Sequence, residues 1–140
     1  MPTATAGLGA RIGARLLDGL IVGLPAAIIL GLIFRLDTTG WIASAIVALL
    51  WFGYFVLMES NQGATVGKRL LNLRVVGADG QPPSIEQAAK RNAFMLIGLI
   101  PTFLGGLLSL AATIAIIVTI SSNAANRGIH DQFADTAVMR

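Results

Sequence analysis

The chain has 140 residues, enough for one domain. Hydrophobic residues make up 55% of it and charged residues 12%, roughly half the charged share of an ordinary soluble domain. That composition is expected of an integral membrane protein. No cysteine is present, which excludes disulfides, thiolate metal sites and a cysteine nucleophile, and the net charge of +3 is not gathered on the aromatic-bearing basic face that nucleic-acid binding needs.

The first apolar run predicts a helix near residues 10–34, opening with RIGARLLDGLIVGLP over 11–25. Basic residues ahead of an apolar stretch imitate a signal peptide. No small-x-small site follows Phe34, however, and a second apolar segment comes directly after, so the helix is expected to stay uncleaved. RLDTTG over Arg35–Gly40 reads as a short polar turn, and Trp41–Met58 as the second helix, with Trp41 placed to anchor at an interface.

The loop 59–84 is different in character. Leu71, Leu73 and Val75 alternate with Asn72, Arg74 and Val76, which predicts a strand near 71–76 entering a turn at Ala78-Asp79-Gly80 and stopped by Pro82-Pro83. Ser84 and Gln87 have capping-box spacing, so a helix should start there. Unbroken to residue 120 it would be about 54 Å long against a hydrocarbon core of about 30 Å. Pro101 and Gly105-Gly106 offer the cheapest break, giving helices near 85–100 and 105–121.

The expected fold is therefore all-α and membrane-embedded, one domain over 1–140. Four helices form two hairpins with both termini cytoplasmic, and a small cytoplasmic β element lies alongside. That arrangement puts Arg11, Arg15, Lys68, Arg69, Arg74, Lys90, Arg91, Arg127 and Arg140 on the cytoplasmic side and leaves only Arg35 outside, as the positive-inside rule prefers.

Several groups of residues invite a chemical reading. Positions 11, 15, 18 and 22 share a helical face, so Arg11, Arg15 and Asp18 form a charge cluster at the membrane edge, and an acid there needs a partner or water. Gly19, Gly23, Ala27 and Gly31 recur every fourth residue, the spacing of a close helix-packing seam. Lys68, Arg69, Lys90 and Arg91 are placed to meet anionic lipid headgroups. GATVGKRLL over 63–71 imitates a phosphate-binding loop but has one residue too few between its glycines and Arg69 where Ser or Thr belongs. His130 stands without the further ligands a zinc site requires. No cofactor and no enzymatic activity are expected.

Three blocks, RIGARLLDGLIVGL, GATVGKRLLNLRVVGADGQPPSIEQAAKRNA and NRGIHDQFADTAVMR, resemble the signatures of the RDD family of small prokaryotic membrane proteins, in the family's order. By position the family's arginine and two aspartates fall on Arg11, Asp18 and Asp131. Thr65, Gly67 and Lys68 match its TxGK turn, Arg91 the arginine before the third helix, and Thr136 the last threonine. The resemblance implies transport, with some members described as sodium/proton antiporters. It also suggests that DTAVMR (135–140) pairs with LNLRVV and that the arginines clamp Asp18 and Asp131, tying the tail to the first hairpin.

Two functions follow as expectations. One is a homo-oligomeric, ion- or proton-coupled exchanger of the bacterial inner membrane, using the cluster of Arg11, Arg15, Asp18 and Asp131. The other is a non-enzymatic accessory or assembly subunit of a larger membrane complex. Lipids and other membrane subunits are the expected partners.

Overall fold

The computed structural model describes residues 4–33, 35 and 41–140; apart from Arg35, the polar turn expected before Trp41 lies outside them. α1 (Leu8–Asp18) runs on through a wide turn at Gly19–Gly23, α2 (Leu24–Ile28) and a second wide turn at Ile29–Ile33. Pro25, in the first turn of α2, has no N–H and its ring crowds the carbonyl four residues back, and a wide turn next to it relieves both problems. α3 spans Trp41–Gln62, four residues longer than its apolar run, because Glu59 is buried rather than solvated.

After α3 the chain reverses at Gly63, whose φ of 68° suits glycine. α4 (Val66–Leu70) follows, with Thr65 as N-cap. Leu71–Leu73 close its last turn around Asn72 at φ 55°, so β1 begins only at Arg74 (Arg74–Gly77) and not near residue 71. Its antiparallel partner is β2 (Thr136–Met139), with Val75 opposite Val138. The Asp79-Gly80 turn forms as expected but does not fold β1 back on a neighbouring strand; the sheet closes with the tail instead. Residues 4–6 extend this edge: Ala6 N donates to Val138 O at 2.8 Å and Arg140 N to Ala4 O at 2.9 Å. Ala6, Ala14, Leu73, Val75 and Val138 make a small core where α1 lies on the sheet.

The helix expected over 85–100 divides. α5 (Ile85–Asn92) starts with the expected capping box, Ser84 Oγ accepting from Gln87 N at 3.1 Å and Gln87 Oε1 from Ser84 N at 3.0 Å. A tighter 3-10 segment, Ala93–Leu99, continues along α3, reaching the Trp41 indole, which donates to Leu99 O at 2.9 Å. The break falls at Pro101 rather than at the glycine pair, so α6 (Thr102–Ser122) starts three residues early. Gly105 serves another purpose: a Cβ there would lie 2.2 Å from Ile100 O. α7 (Ile129–Phe133) leads into β2.

The protein is mostly helical, and among the described residues three helices are long and apolar enough to cross a membrane: Leu8–Leu32, Trp41–Gln62 and Phe103–Ser122. Only 6%, 17% and 11% of their most apolar stretches are buried within the chain. The ends near Asp18, Glu59 and α7 are where the chain packs tightly.

Candidate functional site

Three carboxylates organise that end. Asp131, fully buried on α7, accepts from Arg11 Nη1 at 2.5 Å, from Arg91 Nη1 and from Gly128 N at 2.9 Å. Arg11 is held in turn by two carbonyls, Ala6 O at 3.1 Å and Asn126 O at 2.6 Å. Glu59, on α3 and also fully buried, pairs with Lys68 Nζ, with Arg91 Nε at 3.1 Å and with Asn92 Nδ2 at 2.9 Å. Arg91 therefore bridges the two acids, its planar fork suited to serving both at once, and its Nη1 also reaches Thr136 Oγ1 at 3.2 Å. A buried charge is costly unless paired and fully hydrogen-bonded, and both acids meet that condition.

Asp18 is built differently. It accepts from Tyr54 OH at 2.8 Å, Thr65 Oγ1 at 2.7 Å and Gly67 N at 2.8 Å, all neutral donors. Thr65 Oγ1 itself accepts from Lys68 N at 3.4 Å, so the α4 cap and the acid share one hydroxyl. Gly67 is required by space: a Cβ would sit 2.0 Å from Ala14 O and 3.0 Å from Asp18 Cγ. The expected clamp is thus half corrected. Arg11 holds Asp131, but among the described residues no arginine takes Asp18, whose oxygens accept from the α4 turn and Tyr54.

Arg15 joins no ion pair among the described residues. Its guanidinium stacks 4.1 Å from the centroid of Phe55, which is buried, and 5.8 Å from that of Phe94. Lys68 and Arg91 are buried in their ion pairs, 7% and 4% exposed, so they cannot meet lipid headgroups; of the four expected contacts only Arg69 and Lys90 remain at the surface. The small-residue seam is used at one point. A Cβ on Gly23 would fall 2.6 Å from Trp51, whereas Gly19 and Gly31 face open space. Ala27 lines the same α2–α3 groove as Gly23 and Trp51.

The buried setting shifts the groups outside the long helices. Desolvation pulls Lys68 down to about 8, although Glu59 opposes the shift. It also lowers Arg91 against the pull of Glu59. His130 falls to about 2, from burial first and then the positive field of Arg91 and Arg11. His130 is therefore neutral, and its Nε2, 3.5 Å from Asp131, makes no ion pair. Its Nδ1 is the one buried side-chain polar atom without a hydrogen-bond partner among the described residues. No group of ligands able to hold a metal ion occurs among those residues.

Glu59, Tyr54 and Asn92 are the site residues that sequence reasoning missed. The readable signal was an acid directly after Met58, at the end of an apolar run, with a lysine nine residues on across a glycine reversal.

Long apolar helices joined at one end by a buried layer of paired charges define a membrane protein. The RDD family model matches residues 5–135, and the chain belongs to that family. It is 32% identical over 134 residues to the Bacillus subtilis (strain 168) protein named Uncharacterized protein YckC, a match spanning 95% of this chain and 83% of the relative. No solved structure matches.

Proposed function

We propose that this is a multi-pass protein of the bacterial inner membrane, both termini cytoplasmic, that carries out ion- or proton-coupled exchange as a homo-oligomer, without enzymatic activity or a cofactor. The observation that carries this reading is the cage around Asp18. Glu59 and Asp131 are locked by cations, so neutralising either would strand a buried positive charge. Asp18 is closed only by neutral groups, and a proton or cation exchanging there breaks no ion pair. Losing acceptor strength at Asp18 would loosen Thr65 and Gly67, which links occupancy to the position of α4.

Other features support the arrangement around it. Residues 4–6 hydrogen-bond to the β2 strand, which fits both chain ends lying on one side. The sparse burial of the long helices leaves faces for further copies to cover. The test is cation and proton flux in proteoliposomes. Wild type should move protons against sodium or potassium, and Asp18→Asn should stop it; wild-type flux no greater than in protein-free liposomes would end the exchange reading.

A second reading, an accessory subunit of a larger complex, is favoured by the saturated pairing of Glu59 and Asp131. A fixed staple suits an organiser whose uncovered helices dock on a partner. A stoichiometric partner retained through gentle extraction would support it, and a homo-oligomer alone would count against it.

A further inference from the structure

The charges at the polar end do not balance. Arg11, Arg15, Lys68 and Arg91 are four cations, and Asp18, Glu59 and Asp131 are three carboxylates. His130 is neutral, and the outlying pairs Lys90–Glu86 and Arg127–Asp135 cancel themselves. Arg11, Lys68 and Arg91 share Glu59 and Asp131, Asp18 is held by neutral donors, and Arg15 stands outside every ion pair among the described residues. Glu59 and Asp18 attract it without coming within ion-pair distance, and no hydrogen-bond acceptor among the described residues takes its guanidinium. Arg15 is an exposed residue whose head stacks on buried Phe55 rather than pairing with an acid. Arg15 lies seven residues into the Leu8–Leu32 helix, about 10 Å along it, where an unpaired charge is expensive.

Next to Arg15 is a cleft of about 340 Å³, lined by Arg15, Gly19, Ala48, Trp51 and Met95. Arg15 is the one charged residue among those that line it. No carboxylate among the described residues lines it. A cleft offering a guanidinium outside any ion pair beside Ala48, Trp51 and Met95 suits a singly charged anion attached to an apolar body. A guanidinium is well matched to phosphate oxygens.

We infer that the cleft between α1, α3 and the 3-10 segment binds the phosphodiester of an anionic phospholipid, with Arg15 as its counter-charge and the acyl chains along the uncovered apolar helices. The inference is independent of whether Asp18 exchanges ions. It differs from headgroup binding at Lys68 or Arg91, which are already paired.

The test is native mass spectrometry of the protein from nanodiscs of mixed phosphatidylglycerol and phosphatidylcholine. Wild type should retain phosphatidylglycerol in preference, and Arg15→Gln should weaken that retention about tenfold, as expected for one lost charged contact. Arg74→Gln, at an exposed arginine on β1, should leave it unchanged. Gly19→Leu provides a variant that keeps the arginine: a Cβ there meets nothing within 4 Å, so the side chain should fill the cleft while the protein stays folded, and lipid retention should fall as well. Equal retention by wild type and a folded Gly19→Leu or Arg15→Gln protein would overturn the assignment. So would displacement of the lipid by millimolar inorganic phosphate, which would identify a soluble anion as the occupant.

Discussion

The polar end and the apolar stems of this protein are held by opposite means. At the polar end, Asp131, Glu59 and Asp18 each accept three donors, and together they join α1, α3, α4, α5 and α7. Along the stems, side chains such as Leu32 and Phe103 are more than three-quarters exposed. In a bilayer the contrast has a simple cause. Lipid tails are as apolar as leucine, so burying a leucine between helices gains little, whereas polar groups gain much from finding one another. Specificity of packing is therefore concentrated where the charges are.

Glu59→Gln should break that contrast most severely. It leaves Lys68 buried without its counter-ion, and unfolding followed in nanodiscs should show a loss of about 3–5 kcal/mol. Gly67→Ala attacks the same end by sterics alone. With its Cβ 2.0 Å from Ala14 O, α1 and α4 must separate, and a loss of about 1–3 kcal/mol is expected in the same unfolding measurement.

Acid should reach the polar end through His130. Its folded value is about 2 against an ordinary 6.5. Between those values the unfolded chain binds a proton that the folded chain does not, so stability falls as pH drops through 6.5 toward 2. The slope from this one group is at most about 1.4 kcal/mol per pH unit. Unfolding midpoints from pH 7 to 4 should decline less steeply in His130→Gln than in wild type, and parallel declines would exclude His130 as the source.

Ser84→Ala removes one half of the capping box on α5 and should cost about 1 kcal/mol; an unchanged unfolding midpoint would show that the cap adds nothing. At the other extreme, Leu32→Ala should change stability by no more than about 0.5 kcal/mol in the monomer. A larger loss in the assembled protein than in a dilute micelle would place Leu32 in an interface between copies.

The sequence made some of this legible and concealed the rest for physical reasons. The helix starts at Ser84 and Trp41 and a break near Pro101 or the glycine pair were readable from local chemistry, whereas the pairing of the tail with the loop strand came from the family resemblance. The same resemblance suggested that an arginine of the first helix meets Asp131, and Arg11 pairs with it. Glu59 escaped because an acid at the end of an apolar run looks like the beginning of a loop. Its meaning depends on Gly63 turning the chain so that Lys68 comes back to it. Without that acid, Lys68 and Arg91 look like surface charges facing headgroups. Likewise the regular stripe of Gly19, Gly23, Ala27 and Gly31 drew attention from Gly67, where the backbones come closest. Which glycine is indispensable depends on a neighbouring turn, not on spacing within one helix.

The most direct test of the polar end as the fold's organising layer is a double-mutant cycle on Glu59 and Lys68. Glu59→Gln, Lys68→Gln and the double variant would be unfolded in nanodiscs beside wild type. Removing both partners should cost less than the two single losses together, by a coupling of about 2 kcal/mol. Losses that add to within about 0.5 kcal/mol would mean that the buried pair is incidental and that the fold is held elsewhere.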